Sequence, residues 1–474
     1  MSFPSRIAAA IGDPNLQLAL DGNFVRSRDK WEAAMASLPE ADAVRDRARA
    51  IRVEALSRLD HYLLQLEAAV QAQGGVVHWA ADAAEANRIV LGIAQAHHAK
   101  LIAKSKSMVS EEIGLNAALE AAGLRVVETD LGEYILQLRG DRPSHIVAPA
   151  IHLRRSDVAA LFEKELGLPP TDDIPALTAA ARAVLRQAFV SADVGVSGVN
   201  FAVAQSGTLC IVSNEGNARL CTTLPKVHVA LMGLERIVPT LADLEVMLRV
   251  LARSATGQKI TGYTTLLNGP RRGAEPDGPD ELHLVLVDNG RSRALGGELA
   301  ESLLCIRCGA CLNVCPVYRE IGGHAYGSVY PGPIGAIVSP VLGGLTEFGE
   351  LAQASTLCGA CRDVCPVRID IPKMLLHVRA AHVAGTGGTG WLTPALKVWA
   401  WAMRSAARYG WAVAAAGWAT RALAAHGWVR RLPGPLGGWT QRRDFPAFAT
   451  ETFRDRLSRQ SRAGVNEYGS APDA

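Results

Sequence analysis

The chain has 474 residues, nine of them cysteine, with 49% apolar residues, 20% charged residues and a formal net charge of +3. That length accommodates about two to four domains with ample core, and so small a net charge gives no reason to expect nucleic acid as a partner. The opening stretch MSFPSRIAAAIGDPN lacks the apolar region and cleavage site of a secretory signal, and no run of ~18 apolar residues is present to span a bilayer, so a cytoplasmic chain is expected.

Residues 1–73 read as a helical N-terminal extension. Leu56, Leu59, Leu63, Leu66 and Val70 alternate steps of three and four, which lays one apolar stripe along a helix. From residue 75 the pattern changes. VVHWA reads as a strand, DAAEANRIVLGIAQAHHAK as a helix opened by Asp82, and LIAKS as a strand. SEEIGLNAALEAAG reads as one helix with Gly123 as its C-cap, and RVVETD as a strand. Further strands are expected at SGTLCIVSN, RLCTTLPKVHVALMG and HLVLVD. This alternation predicts an α/β domain with a parallel sheet flanked by helices over 74–292.

Two stretches of that domain are candidate ligand sites. SADVGVSGVNFAVAQSGTLCIVSNEGNARLCTTLP concentrates glycine with Asn200, Asn214, Glu215 and Asn217. Such residues at the carboxyl ends of strands build ligand crevices; the plainer reading is tight turns between buried strands. KSKSMVSEE places Lys104 and Lys106 before a helix N-terminus, where they would receive an anion or form solvated surface. No GxGxxG or Walker loop is present, so no motif indicates a nucleotide.

Seven of the nine cysteines fall between 305 and 365. A disulfide framework would scatter them and suits small secreted domains; this clustering points to metal. Cys305, Cys308, Cys311 and Cys315 form C-x2-C-x2-C-x3-C-P, the run of bacterial-type two-cluster ferredoxins, whose fourth cysteine ligates the other cluster. Structural zinc instead pairs two knuckles across a longer gap. CIRCGACLNVCPV at Cys305 is repeated as STLCGACRDVCPV at Ser355, with serine in place of the first cysteine. Crossed ligation then assigns Cys305, Cys308, Cys311 and Cys365 to the first cluster, and Cys315, Cys358 and Cys361 to the second.

The fourth corner of the second cluster falls at Ser355. Serine oxygen, another residue, a three-iron species or an open iron would each account for it. Cys210 and Cys221 are remote thiols that read better as core. His324 lies in the glycine- and proline-rich spacer EIGGHAYGSVYPGPIGAIVSP and reads better as a backbone-bonded loop residue. The expectation is two [4Fe-4S] clusters, the second with a non-cysteine or open corner, in a ferredoxin-type module over 293–385.

GTGGTG from Gly385 reads as a flexible break. Residues 386–474 then hold 12 Lys/Arg against 5 Asp/Glu and seven of the nine tryptophans: Trp391, Trp399, Trp401, Trp411, Trp418, Trp428 and Trp439. With Arg404, Arg408, Arg421, Arg430 and Arg431 interleaved, this helical C-terminal region suits docking on a partner or a membrane interface; the alternative is a small helical unit packed on its own protein.

The order of these parts resembles the lactate utilisation protein B family (LutB, also called YkgF) over nearly the whole chain. The resemblance is carried by KSKSMVSEE, the Asn/Gly-rich stretch around Asn214, the doubled CGAC module, GHAYGSVYPGPIGA and the Trp-rich tail. It implies a LUD domain related in fold to the NagB/CoA-transferase group, and two four-iron clusters with seven cysteines. It also implies partners resembling LutA, an iron–sulfur protein, and LutC, another LUD protein; together the three oxidise L-lactate to pyruvate.

Three roles are then open. One is an electron-transfer subunit of a lactate-oxidising complex, in the cytoplasm or peripheral at the inner face of the membrane. The second is a LUD-domain enzyme or ligand-binding protein, with Glu215 as nucleophile, in which the clusters are structural. The third is a docking scaffold. The first is favoured. Clusters pass electrons singly, so the two-electron step at lactate needs another group, and no flavin or nicotinamide motif is visible here.

Overall fold

The computed structural model describes every residue except 274, 387–389, 391, 442, 450 and 468–474. Half of the GTGGTG stretch (387–389) and Trp391 therefore lie outside the described residues. The chain divides into two compact units, Met1–Thr386 and Gly387–Ala474.

The first unit begins with four helices, α1 (Phe3–Ile11), α2 (Pro14–Ala36), α3 (Ala41–Ser57) and α4 (Leu59–Ala72). Asp13 opens α2 by accepting from the amides of Asn15 and Leu16. On α4, Leu59, Leu63, Leu66 and Val70 are buried as the stripe requires, against Leu282, Leu284 and Leu286 of the sheet below. Leu56 is partly buried on α3, because the chain breaks between Ser57 and Leu59.

Ten strands follow: β1 (Val76–Ala80), β2 (Leu101–Lys104), β3 (Arg125–Glu128), β4 (Val194–Gly198), β5 (Phe201–Val203), β6 (Thr208–Ser213), β7 (Val227–Gly233), β8 (Ile237–Val238), β9 (Tyr263–Leu267) and β10 (Glu281–Val287). Six of them form a sheet in the order β1-β10-β7-β4-β2-β3, with every neighbouring pair parallel. Its central strands are apolar runs buried on both faces, VHVALMG in β7 and LHLVLV in β10. Asp82 caps the helix Ala83–Ala96 through the Glu85 amide, as its position in the sequence suggests.

Three expectations are corrected. SEEIGLNAALEAAG forms two helices, Met108–Glu112 and Leu115–Ala121, because Gly114 turns left-handed (φ 65°) between them. RLCTTLPKVHVALMG is not one strand: Asn217–Thr223 is helical, and β7 starts only at Val227, past Pro225. SGTLCIVSN is a strand, β6, but lies in a separate four-stranded sheet, β8-β5-β6-β9. The carboxyl edge of the parallel sheet carries Ser105–Ser107 after β2, Val199 and Asn200 after β4, Leu234–Arg236 after β7, and Asp288–Arg291 after β10.

Within the second unit, the helices Leu392–Met403, Ala406–Leu423 and Phe453–Glu467 are joined by short strands, Trp428–Val429 and Phe445–Pro446. Trp399, Trp401, Trp411, Trp418, Trp428 and Trp439 are exposed, with Arg408 over the Trp401 ring and Arg443 over Trp439. No helix among the described residues is long and apolar enough to cross a membrane.

Candidate metal centre and the cavity beside it

The two cysteine motifs adopt the same local structure. Arg307 (φ 59°) and Leu357 (φ 57°) are left-handed, as are Gly309 (φ 74°) and Gly359 (φ 89°), and short helices Ala310–Asn313 and Ala360–Asp363 follow. In the first copy the Arg307 amide donates to Cys305 Sγ at 3.4 Å. In the second the Leu357 amide donates to Ser355 Oγ at 3.1 Å. The hydroxyl of Ser355 therefore stands where the first copy has its leading sulfur.

Cys305, Cys308, Cys311 and Cys365 line one small cavity, walled by Ile306, Ile334, Val367 and Ile369. Cys365 thus joins the first motif although it belongs to the second. Cys315, Cys358 and Cys361 form the other group, near enough for Cys361 to feel the charge of both partners. Cys311 and Cys361 also sense each other, so the two groups adjoin. Cys358 is exposed, Cys305 and Ser355 are half-buried, and the other five cysteines are buried. The structure brings together the sets of residues expected from crossed ligation.

Whether an iron–sulfur centre suits these residues follows from their chemistry. Burial, then repulsion by neighbouring thiols, pushes Cys361 up to about 12; Cys308 and Cys311 are raised by the same two effects. Seven thiolates this close need a cationic partner, which a metal centre supplies. The walls around the first group are apolar. Tyr326 is 1% exposed, its hydroxyl has no hydrogen-bond partner among the described residues, and it lies beside Cys315 and Cys311. A buried hydroxyl without an acceptor is costly, and a centre presenting sulfide would satisfy it. The donor set fits.

The remaining candidates resolve toward structure. Cys210 is a core residue of β6, raised to about 12 by burial. Cys221 sits in the helix Asn217–Thr223 with its Sγ 3.3 Å from Thr129 Oγ1. His324 has Nε2 2.7 Å from the Arg142 carbonyl, a backbone-bonded loop histidine. Lys104 is neither solvated surface nor an anion receiver: it is buried and paired at 2.7 Å with both Glu111 and Glu128.

Lys106 points elsewhere, into a cavity of about 740 Å³ that is also lined by Asn200, Asn214, Glu215 and Asn217. The Asn/Gly-rich stretch and the KSKS stretch, far apart in sequence, thus build one crevice at the carboxyl edge of the parallel sheet. Lys106 donates to the Val147 carbonyl at 2.9 Å and lies 3.3 Å from Glu133. Glu215 is exposed at this crevice.

The crevice and the first cysteine group share a wall. Ile306 lines both cavities, and Arg307 lines the larger one. Behind this wall is a buried ion network. Burial alone would raise the Glu235 carboxyl, but Arg291, Arg236 and Arg307 outweigh it and hold it at about 2. Arg291 donates to Glu235 at 2.6 Å and to Glu112 at 2.7 Å.

Sequence reasoning missed a second set of arginines. Arg45, Arg49 and Arg52 on α3 are spaced by four and three, so they share a face. Arg45 donates to the Cys365 carbonyl at 2.9 Å, and Arg49 to the Arg368 carbonyl at 2.7 Å. Arg52, fully buried, donates to the carbonyls of Ile237 and Leu303 at 2.8 Å, of Leu304 at 3.3 Å, and of Glu235. One N-terminal helix thereby ties both cysteine motifs to the α/β domain. The signal in the sequence was arginine interleaved at helical spacing with Ala48, Ile51 and Ala55, all buried.

Comparison with known proteins agrees with this layout. The LUD domain model matches residues 63–287, the 4Fe-4S dicluster domain model residues 301–369, and the model of the C-terminal part of lactate utilisation protein B residues 384–462. The chain is 46% identical over 453 residues to "Uncharacterized electron transport protein YkgF" of Escherichia coli (strain K12), covering 95% of each chain. It is 46% identical over 460 residues to "Lactate utilization protein B" of Anoxybacillus flavithermus, covering 97% of this chain and 98% of that one. The protein of the same name in Macrococcus caseolyticus is 45% identical, with 98% of each chain covered. A crystal structure of a DUF162 family protein from Deinococcus radiodurans aligns with 48% of this chain at 17% identity and a TM-score of 0.27. With a LUD domain followed by an iron–sulfur dicluster domain and the family's own C-terminal region, the chain belongs to the lactate utilization protein B family.

Proposed function

We propose that this chain is the iron–sulfur electron-transfer subunit of a complex that oxidises L-lactate to pyruvate. The observation that carries the reading is the pair of adjoining cysteine groups, one buried against the LUD crevice and the other open to solvent at Cys358. Two [4Fe-4S] clusters, when bound, would supply one-electron redox chemistry at neighbouring sites.

The chain's own residues set the conditions for that chemistry. Cys305, Cys308, Cys311 and Cys365 would hold one cluster, and Cys315, Cys358 and Cys361 the other, with the Ser355 hydroxyl at its remaining corner. Amides of Arg307, Tyr318 and Ile369 donate to Cys305, Cys315 and Cys365 at 3.4–3.5 Å. Such bonds lower the charge on sulfur and so favour the reduced state. Ile306, Ile334 and Val367 give the first group apolar walls, while exposed Cys358 gives a partner's redox group access to the second.

The relatives' names supply the pathway: "lactate utilization" and "electron transport" are said of proteins that match this one nearly end to end. The partners in this reading resemble LutA, an iron–sulfur subunit, and LutC, a LUD subunit. The exposed tryptophans and basic charge of the second unit favour docking on them, with peripheral contact at the inner membrane face as the other use of that surface. The chain works in the cytoplasm, and its LUD sheet is of the NagB/CoA-transferase type. A LUD-domain catalyst is the second reading, favoured by the size of the crevice.

The test is anaerobic purification of the chain alone and with its two partners, followed by lactate-dependent dye reduction. Activity should require the trio and vanish when Cys308 or Cys361 is replaced by Ala in this chain. Full turnover by a cluster-free chain would remove the electron-transfer reading.

A further inference from the structure

The two arginines on the wall between the crevice and the first cysteine group are not used up by the ion network. Arg236 lies 3.7 Å and Arg307 3.6 Å from Glu235 Oε1, beyond hydrogen-bond length. Among the described residues, Arg307 Nη1 has no hydrogen-bond partner although the residue is only 8% exposed. Nor does the Arg236 guanidinium donate to any described residue; it is 7% exposed and lines the cavity. Asn217, 6% exposed on the same cavity, has an Oδ1 with no donor. Glu235 and Glu112 face three guanidinium groups, Arg236, Arg291 and Arg307, with Arg52 and Cys305 also within charge range, and neither Arg236 nor Arg307 has a carboxylate at hydrogen-bond distance.

Arginine guanidinium groups that keep donors without acceptors on the wall of a preformed cavity mark an anion site. We propose that Arg236 and Arg307 bind the carboxylate of a small organic acid in the LUD crevice, directly against the first cluster. A carboxylate matches the guanidinium fork in geometry and accepts from both of its edges. Asp130 and Glu215 line the same cavity, so a phosphate dianion would meet more repulsion than a singly charged acid. The cavity of about 740 Å³ lies in the range that buries ligands of roughly 300–1,000 Å³ sites, so a three-carbon acid would leave room for a second molecule beside it.

The position of Arg307 gives the site a consequence for the cluster. Arg307 lines the crevice, its guanidinium lies over the Tyr330 ring at 4.6 Å, and its backbone amide donates to Cys305 Sγ. A bound anion beside Cys305 adds negative charge near the first cluster, which lowers its reduction potential and leaves the more distant second cluster less affected.

The site rests on these residues alone and is measured on the full chain without its partners, so it can fail or succeed independently of lactate-dependent turnover. The anaerobically reconstituted chain is titrated by calorimetry with pyruvate and with glycolate, both monoanions, and with inorganic phosphate as the comparison anion. Both carboxylates should bind saturably and shift the midpoint of the first cluster downward. Arg236→Gln and Arg307→Asn should each weaken binding tenfold or more while iron content stays unchanged; asparagine is chosen because it tolerates the left-handed backbone at 307. Should Arg307→Asn lose iron, Arg236→Gln, outside the cysteine loop, carries the test. Absence of saturable binding, tighter binding of phosphate than of either carboxylate, binding unchanged in Arg236→Gln, or binding with no movement of the first cluster's potential would each overturn the proposal.

Discussion

Replacing Arg52 with Met should loosen the first cluster from a distance. The Arg52 guanidinium is fully buried and donates to four backbone carbonyls, those of Glu235, Ile237, Leu303 and Leu304. Leu303 and Leu304 lead directly into Cys305. Methionine fills much of the same space but donates nothing, so these carbonyls lose their donors at about 1–3 kcal/mol each. Relief of the buried guanidinium's own desolvation offsets part of that, leaving a net loss of about 3–5 kcal/mol. At about 1.4 kcal/mol per factor of ten, opening of this region becomes roughly two to three and a half orders of magnitude more frequent. The assay is release of iron to a chelator from the anaerobic holoprotein in mild urea, with EPR identifying which cluster goes first. Arg47→Met is the control, because its ion pair with Asp243 is 63% exposed on the arginine side and is worth about 1 kcal/mol or less. Iron release at the wild-type rate, or loss of the second cluster before the first, would refute the clamp.

Cys365→Ala should remove the first cluster rather than the second, halving iron from about eight to about four per chain; EPR of the surviving cluster decides which was lost. Ser355→Cys should place a thiolate where the hydroxyl now accepts from the Leu357 amide, shifting the second cluster's potential and slowing its iron loss, as read by redox titration and chelation. An unchanged potential would mean that another group fills that corner. His228 is buried with Nε2 2.8 Å from Ser197 Oγ, and burial, then repulsion by His283, lowers it to about 3. The unfolded chain therefore takes up a proton at this residue below about 6.5 while the folded chain does not, so stability falls as pH drops from there toward 3, by about 2 kcal/mol between pH 7 and 5. In His228→Asn that acid-dependent loss should shrink by the same amount in urea unfolding at the two pH values. Truncation after Thr386 should leave both clusters' spectra intact and weaken association with partner subunits in pull-down; spectra that collapse would make the second unit part of the cluster-bearing fold.

What could be read from the sequence was what is local in it. The cysteine spacing is a self-contained ligand set, so its crossed grouping needed only the ferredoxin rule, and the strand–helix alternation from Val76 announced a parallel sheet. The helix Asn217–Thr223 was missed because Leu220, Cys221, Thr222 and Thr223 look like strand residues, while the turn at Gly216 (φ 78°) and packing against the sheet make them helical. The buried charges were harder still. Lys104 reads as surface until Glu128, on a neighbouring strand, is seen beside it. Arg236 and Arg307 are 71 positions apart in number, and nothing in either stretch shows that β7 and the cysteine loop deliver them to one wall. Contacts of that kind belong to topology rather than to pattern.

The most direct measurement is anaerobic stopped-flow absorbance of the reconstituted chain mixed with its two partners and L-lactate. Bleaching of this chain's cluster absorbance should accompany pyruvate formation, with two electrons recovered in clusters or acceptor for each pyruvate, and should fail in Cys308→Ala. Pyruvate formed at the full rate while these clusters stay oxidised would contradict the account.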